Sequence, residues 1–375
     1  MPVPYWKHGT LAFLDFSSLR SPCNPERIGF EFYSIRSGEV MDRSTAVQVM
    51  PLRVGRTKVP YGQFYGGLDG YSGLDLAVDK SAFIWVPIHA YLIEHPSEGP
   101  LLLDTGIRPA QAEGHASYYG GTVLEYFTDV DEYDLPADQR IEAQLALHGR
   151  RPEDISRVIV THFHEDHIGS LSLFPHAEVL LGRSEYEARD SLILGLVPLA
   201  YERSVAGVAK WRPVDFAGPE VGGFSGSCDL FGDGSVVLLP TPGHSPGSTS
   251  ALVSIGERRA LLTGDALYTV RHLAVDDVRQ MQTGADDLFI DSVRRIQWLH
   301  RLLPDLVVLP AHDDTPYGEL LVRDLLAHEG RLSQEAFEEL KEYEAATFDA
   351  AYRLNPARRP RYVADPAGGT LGSVL

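Results

Sequence analysis

The sequence predicts an α+β protein, and three observations lead to this prediction. Short apolar segments rich in β-branched residues recur from residue 46 onward, as expected of buried strands. Two of these segments flank a glycine-containing turn, which favours an antiparallel hairpin. Longer segments toward the C-terminus instead carry apolar residues at helical spacing. A hydrophobic content of 44% over 375 residues supplies ample material for the core of such a fold.

The individual elements follow from these patterns. Strands are predicted, in order, at 46–54, 83–86, 88–93, 101–106, 155–160, 178–181, 235–239, 249–255, 259–265 and 306–312. Helices are predicted at 136–149, 184–200, 285–303 and 333–352. In the first helix, Ile141, Leu145 and Leu147 supply the apolar stripe and Gly149 the stop. A loop rich in glycine and tyrosine is expected over 61–73.

The charge of the chain limits its partners. Its 52 acidic and 33 basic residues give a formal net charge of −19 and a sequence pI of about 5.1. Such a surface repels phosphate backbones and anionic membranes, so we expect neither a nucleic-acid nor a membrane partner. The N-terminus lacks the basic-then-apolar pattern of a signal peptide, and no apolar run approaches the ~20 residues of a membrane span. We therefore expect a cytoplasmic protein.

One stretch, 161–170, concentrates residues that bind metals. It reads Thr-His-Phe-His-Glu-Asp-His-Ile-Gly-Ser and follows directly on the predicted strand 155–160. Six consecutive positions contain three histidines and one aspartate, namely His162, His164, Asp166 and His167. Imidazole nitrogens and carboxylate oxygens are the ligands that zinc and similar divalent ions prefer. A polar surface loop rarely contains so many histidines, so the stretch predicts a metal site.

Later strands also end in a histidine or an aspartate. The residues concerned are His244, Asp265 and His312. A lone histidine is usually an ordinary surface or core residue, but four strand ends that together deliver seven such side chains form a pattern. Seven ligands suit two metal ions that share one carboxylate, and two-metal sites catalyse hydrolysis. The sequence therefore predicts a dinuclear metal site.

This pattern resembles the signature of the metallo-β-lactamase superfamily, in which H-x-H-x-D-H is followed by separate His, Asp and His ligands. The resemblance covers about residues 46–325 and includes Asp104-Thr-Gly106 at a strand end. It implies a four-layer αββα sandwich with the metal site at one edge of the two sheets. It also implies a first metal held by His162, His164 and His244. A second would be held by Asp166, His167 and His312, with Asp265 bridging the two.

Three features narrow the resemblance within the superfamily. Asp265 stands where the zinc β-lactamases have a cysteine ligand, and His164 stands where the flavodiiron oxygen reductases have a glutamate. Tyr268, three residues past Asp265, is similar to a tyrosine of the N-acyl-homoserine lactonases, as is the sequence Thr241-Pro-Gly-His-Ser-Pro-Gly247. In that family the phenol reaches toward the lactone carbonyl. The resemblance thus implies a quorum-quenching lactonase.

The implied reaction is hydrolysis of the ester bond in a small-molecule lactone. Two divalent ions lower the pKa of a bridging water and so supply a hydroxide nucleophile near neutral pH. One ion and the Tyr268 hydroxyl would stabilise the oxyanion, and Asp265 or Asp166 would carry the proton to the departing alkoxide. We expect two zinc ions, and iron, cobalt or manganese would suit the same ligands.

Three other functions share part of this chemistry. Another hydrolase of the same fold, acting on thioesters in the manner of glyoxalase II or on other esters, would use every ligand. A phosphodiesterase or nuclease would use the same metals, but the charge of −19 argues against phosphate binding. A metal-binding protein without catalysis is disfavoured, because closed structural zinc sites take four ligands and seven around two ions leave positions for water.

The resemblance also divides the chain into three parts. Residues 46–325 are expected to form the catalytic domain, 1–45 an N-terminal extension packed on it, and 326–375 a C-terminal helix and tail. The lactonases are usually shorter, so the added ends can reshape the substrate pocket. The apolar side of the C-terminal helix is expected to dock on the body or on a second subunit, which would make the chain a homodimer.

Overall fold

The structure is a computed structural model, and it describes most of the chain from residue 46 onward. The described residues are 46–65, 83–114, 118, 133–193, 197–200, 202–275, 286–354, 361–364 and 370–373. The extension expected at 1–45 and most of the loop expected at 61–73 lie outside them. No helix in the described part of the chain is long and apolar enough to cross a membrane.

Strands account for two large sheets. The strands are β1 (Gln48–Pro60), β2 (Phe83–His95), β3 (Gly99–Leu103), β4 (Tyr133–Asp134), β5 (Arg157–Ile159), β6 (Glu178–Gly182), β7 (Leu192–Ile193), β8 (Val197–Pro198), β9 (Lys210–Val214), β10 (Cys228–Asp229), β11 (Val236–Pro240), β12 (Thr249–Ile255), β13 (Arg258–Gly264), β14 (Leu306–Pro310), β15 (Arg361–Ala364) and β16 (Thr370–Ser373). One sheet has the order β4-β1-β2-β3-β5-β6-β9 and the other β10-β11-β12-β13-β14. Two short hairpins, β7-β8 and β15-β16, stand apart from both.

Helices lie between or after these strands in the sequence. They are α1 (Tyr61–Tyr65), α2 (Pro109–Glu113), α3 (Ile141–Leu147), α4 (Glu165–Ile168), α5 (Arg183–Ala188), α6 (Glu202–Val205), α7 (Asp286–Leu302), α8 (Pro316–Ala327) and α9 (Gln334–Leu354). Short 3-10 helices lie at Ala137–Gln139, Pro152–Asp154, Leu171–Leu173 and Val270–Leu273.

Alternation along the strands explains how the layers stack. In β2, Tyr91 and Ile93 pack into one core, which contains the second sheet, while Leu92 packs into another core on the opposite face. Successive side chains of a strand point to opposite faces, so a strand buried on both sides is apolar throughout. The core on the outer face of the first sheet includes Ile141 of α3, and the second sheet packs against residues of α7 such as Phe289. Helices, sheet, sheet and helices therefore form the predicted αββα sandwich.

Several predicted elements are confirmed, and two helices differ from prediction. The hairpin forms as β2 and β3, paired antiparallel from Tyr91 with Leu103 to His95 with Gly99. The helix predicted at 136–149 begins with a 3-10 turn, and Leu147 is 74% exposed, so it is no part of the apolar stripe.

The helix predicted at 184–200 was wrong beyond Ala188, where α5 ends and the β7-β8 hairpin follows. Residues 192–193 and 197–198 instead pair antiparallel, and Pro198, which lacks a backbone N–H, is poorly suited to a helix interior. The sequence analysis also gave no prediction for β9 or α8, although α8 begins at Thr315-Pro316 and buries Tyr317, Leu321 and Leu325 at helical spacing.

The C-terminal helix α9 docks on the body of the same chain. Leu340 is fully buried in the core between the second sheet and its helices. Glu344, also buried, accepts a hydrogen bond from the Tyr317 hydroxyl at 3.1 Å and one from Lys341 Nζ at 2.9 Å. Burial alone would raise the pKa of Glu344, but His300 and Lys341 outweigh it and lower that pKa. The docking alternative on the body is thus confirmed, whereas the homodimer stays a prediction.

Candidate metal centre

Seven histidine and aspartate side chains meet at the edge where both sheets present strand ends. The parallel strands β3 and β5 end at this edge in the first sheet, and the parallel strands β13 and β14 end there in the second. Three groups have ligand atoms that all lie within 4.8 Å of one another: His162, His164 and His244; His162, His167 and Asp265; and Asp166, His167 and His312. The structure therefore brings together every metal ligand expected from the sequence.

A switch from strand to helix presents the first four of these side chains. After β5 the chain runs extended to His164, which has φ −64° and ψ 150° and stands at the N-cap of α4. The four-residue helix then turns Asp166 and His167 toward the cluster. The end of β13 can approach this loop because Gly264 has no side chain. A Cβ there would lie 2.7 Å from Oγ1 of Thr161. The backbone φ of Gly264, +51°, also favours glycine.

Asp265 lies between the first and the third of these ligand groups. Its Oδ2 is 3.3 Å from Nε2 of His244, while its Oδ1 is 3.2 Å from Nε2 of His167 and 3.2 Å from Nε2 of His312. The two groups thus each receive one oxygen of the same carboxylate. This is the position that a bridging ligand would need.

Three buried atoms at the centre test whether the site suits metal ions. Among the described residues, Nε2 of His162, Nε2 of His167 and Oδ1 of Asp265 are buried without a hydrogen bond of acceptable geometry. A buried polar atom without a partner costs about 1–3 kcal/mol, so its repetition at one spot needs an explanation. Imidazole and carboxylate donors that converge on a shared centre are satisfied by divalent ions. The residues present therefore fit such ions.

The outer nitrogens of the histidines are held by second partners. Nδ1 of His167 donates to Oδ2 of Asp104 at 2.8 Å, and Nδ1 of His312 donates to the carbonyl of Pro87 at 2.7 Å. The hydroxyl of Thr161 gives its hydrogen to Asp104, so it must accept from Nδ1 of His162, 3.0 Å away. With the proton on Nδ1, the opposite nitrogen of each ring is left as a metal ligand.

Burial and charge divide the histidines into two electrostatic classes. Burial lowers the pKa of His162, His164 and His244, the last to about 3, so these rings are neutral at physiological pH. For His167 and His312 burial acts in the same direction, but neighbouring carboxylates outweigh it. Asp166 and Asp265 raise both pKa values, that of His312 to about 10.

The carboxylates respond in the opposite direction. Burial would raise the pKa of Asp166, but His167 and His312 lower it to about 2. The pKa of Asp265 likewise falls well below its usual range, because the same two imidazolium rings outweigh its burial. Protons would therefore compete with a cation for His167 and His312 more strongly than for His162, His164 and His244.

Tyr268 contacts the cluster through His244, one of the proposed metal-binding residues. Its ring is fully buried and stacks on Phe64 with centroids 4.7 Å apart. Its hydroxyl lies 2.9 Å from Nδ1 of His244, the nitrogen that faces away from the other ligands. The tyrosine is therefore close to the centre, as the sequence predicts, but its expected role toward the lactone carbonyl stays a prediction.

The sequence assigned no role to two residues that organise the centre, Asp104 and Glu185. Asp104 was noted at a strand end near the metal loop, yet its contact with His167 could not be assigned from its position alone. Glu185 gave no signal, because a glutamate in a predicted helix is ordinarily a surface residue. The structure buries it completely between the loops that carry His162 and His244.

An αββα sandwich with histidine and aspartate ligands at one edge defines a class of metal-dependent hydrolases, and comparison with known proteins specifies the family. Residues 84–312 match the metallo-β-lactamase superfamily. The chain belongs to this superfamily, and it is a hydrolase. The resemblance inferred from the H-x-H-x-D-H motif is thereby confirmed.

Its relatives include enzymes of known activity. An N-acyl homoserine lactonase, AttM of Agrobacterium fabrum, is 30% identical over 233 residues, which cover 61% of this chain and 82% of the relative. An N-acyl homoserine lactonase of Bacillus cereus is 29% identical over 219 residues, or 56% of this chain and 76% of the relative. A solved N-acyl homoserine lactone hydrolase, with N-hexanoyl-L-homoserine bound at its catalytic metal centre, superposes with a TM-score of 0.57 at 22% identity. That superposition covers 72% of this chain and 94% of the other.

Proposed function

We propose that this chain is a dinuclear metal-dependent lactonase that opens the ring of an N-acyl-homoserine lactone. The observation that carries the proposal is the convergence of seven ligands into two groups joined by Asp265. The identity of 30% with a curated lactonase, over 82% of its length, supports the choice of substrate. A lactone is an uncharged substrate, so the formal charge of −19 does not oppose its binding.

Each group would hold one divalent ion. One ion would take His162, His164 and His244, the other Asp166, His167 and His312, with Asp265 shared. We favour zinc, and iron, cobalt or manganese would suit the same donors. When bound, such ions lower the pKa of a shared water and polarise a substrate carbonyl oxygen.

The chain's own residues would orient the centre and move protons. Asp104 and the Pro87 carbonyl hold His167 and His312 with Nε2 inward, so ligand directions are fixed before the substrate arrives. Asp166 and Asp265 are the carboxylates nearest the centre, and either could pass a proton to the departing alkoxide.

The hydroxyl of Tyr268 would stabilise negative charge on the carbonyl oxygen in the transition state. The phenol oxygen can accept from Nδ1 of His244 while the phenol hydrogen donates to the substrate.

A substrate panel tests the proposal. Zinc-reconstituted protein should hydrolyse N-hexanoyl-homoserine lactone with a larger kcat/KM than a glutathione thioester, a chromogenic β-lactam or a phosphodiester. His164→Ala should reduce lactone turnover to background. Equal turnover of the four classes would refute the lactone specificity, and full activity of metal-free His164→Ala would refute the metal-dependent mechanism.

A further inference from the structure

A buried glutamate connects the two loops that carry the ligands of one proposed metal. Glu185, near the start of α5, is fully buried. Its Oε1 accepts a hydrogen bond from the backbone N–H of Phe163 at 2.8 Å, and Phe163 stands between two of those ligands in the sequence. Its Oε2 accepts from the hydroxyl of Ser245 at 2.7 Å and from the backbone N–H of Gly247 at 2.8 Å. Ser245 directly follows the third ligand, His244.

The three groups that donate to Glu185 lie in loops that follow strands of both sheets. Phe163 lies in the loop after β5 of the first sheet, whereas Ser245 and Gly247 lie in the turn between β11 and β12 of the second. The carboxylate of Glu185 thus links the two loops directly.

The packing around this carboxylate is close. A Cβ on Gly247 would lie 2.1 Å from the backbone nitrogen of Glu185, so no larger residue fits there without a shift. The same two loops are also joined by a backbone hydrogen bond from Thr249 to the carbonyl of Thr161, at 2.9 Å.

The energetics make this an unusual place for a glutamate. Burial raises the pKa of Glu185, which shows that the charged form pays a desolvation cost at this position. Three hydrogen bonds offset part of that cost, yet an apolar side chain would avoid it. An ordinary structural contact between two loops does not need a buried carboxylate. Two backbone N–H groups and a hydroxyl that all point at one spot do need an acceptor with two oxygens.

We propose that Glu185 is a positioning residue for the metal ion held by His162, His164 and His244. The inference rests on the proposed two-metal centre. All three of these ligands lie on the two loops that Glu185 joins. Asp166 and His167, ligands of the other ion, share the first of these loops, but His167 is oriented by Asp104 and His312 by the Pro87 carbonyl. Loss of Glu185 should therefore weaken one metal site and spare the other.

Glu185→Gln is the variant that tests this selectivity. The amide keeps the size of the side chain but replaces one acceptor oxygen with an NH2 donor. Either orientation places that donor against a backbone N–H, of Phe163 or of Gly247, so one loop loses its tether. Glu187→Gln is the matched control, because Glu187 lies in the same helix and is exposed.

Metal content provides the readout. Each protein is loaded with Zn²⁺, dialysed against increasing concentrations of a chelator and analysed for bound zinc, and the absorption of the Co²⁺-loaded form is recorded. Wild type and Glu187→Gln should retain two ions. Glu185→Gln should retain one, with the affinity for the other reduced by about 10- to 100-fold, the range typical for loss of a residue that orients ligands. Its Co²⁺ spectrum should match that of His244→Ala and differ from that of His312→Ala.

Other outcomes separate the inference from the proposed function. Unchanged affinity for both ions in Glu185→Gln, or an equal loss of both, would overturn the positioning role. If Glu185→Gln does not fold, Ser245→Ala decides, because it removes one of the three donors and should cause a smaller loss confined to the same ion. A wild-type protein that binds a single ion would instead refute the two-metal centre itself.

Discussion

Asp104→Asn should weaken binding of the second metal ion, which His167 would help to hold. Oδ2 of Asp104 accepts from Nδ1 of His167 and from the hydroxyl of Thr161, both at 2.8 Å, and Oδ1 accepts from the Thr161 backbone N–H at 2.8 Å. The residue is 1% exposed, so water cannot replace these contacts. Its φ of +60° is one that asparagine tolerates, so we expect the backbone to persist.

The expected size of the effect follows from the proton on His167. In the variant, the amide oxygen can still accept from the Thr161 N–H, which places the NH2 group opposite Nδ1 of His167. Two donors then face each other, which favours the tautomer with its proton on Nε2, and protonated Nε2 cannot bind a metal. Replacement of such an orienting partner typically costs 10- to 100-fold in metal affinity, or about 1.4–2.7 kcal/mol.

Competition with a fluorescent zinc chelator measures both dissociation constants. Asp134→Asn is the control, since Asp134 forms an ion pair with Arg56 on the surface with side chains 41% and 46% exposed. Such exposed pairs contribute little to stability, so this variant should bind both ions like wild type. Asp104→Asn with two unchanged dissociation constants would show that the contact with His167 does not orient a ligand.

Three further variants or conditions extend the test. Tyr268→Phe should lower kcat by about 10²- to 10³-fold with both ions retained; loss of an ion instead would assign the phenol to holding His244. Metal affinity should fall as the pH is lowered, because a cation must displace a proton from His312, whose pKa is raised to about 10. Calorimetry in buffers of different protonation enthalpy should detect the released proton. A metal affinity that does not change between about pH 6 and 9 would contradict this prediction. Leu340→Ala should lower the free energy of unfolding, measured in urea, by about 2–5 kcal/mol, because it removes a buried side chain. The Leu326 side chain is 46% exposed, so Leu326→Ala should change this free energy by less than about 0.5 kcal/mol. Equal effects of the two variants would contradict the docking of α9.

The sequence was informative about the ligands because their chemistry is local. Each lies in the segment that follows an apolar strand, and strands that run in the same direction end at the same edge of a sheet. Four of them, from His162 to His167, even share one short segment. A strand pattern and a histidine count therefore predicted which residues meet, before any pairing of strands was known.

Residues that act through distant backbone groups could not be found in this way. The partners of Glu185 are the backbone N–H groups of Phe163 and Gly247, which every residue except proline possesses. No side-chain pattern reports such a contact. The helix prediction at 184–200 was wrong for a different reason. Apolar residues in a short hairpin such as β7-β8 can have the spacing expected of a helix.

The contact of Tyr268 with His244 depends on how the second sheet and its loops fold together, and spacing along the chain does not record it.

The distribution of ligands over both sheets has a consequence for the lifetime of the protein in a cell. His162 and His164 extend from the first sheet and His244 from the second, and the other proposed ion is likewise shared between His167 and His312. Metal ions bound in this way would cross-link the two halves of the sandwich. A free metal concentration 1,000 times the dissociation constant would raise the free energy of unfolding by about 4 kcal/mol for each site. Proteases that attack opened chains would then remove the metal-starved form first. The amount of enzyme present would follow the supply of metal, and the proposed lactone hydrolysis would be slowest where that metal is scarce.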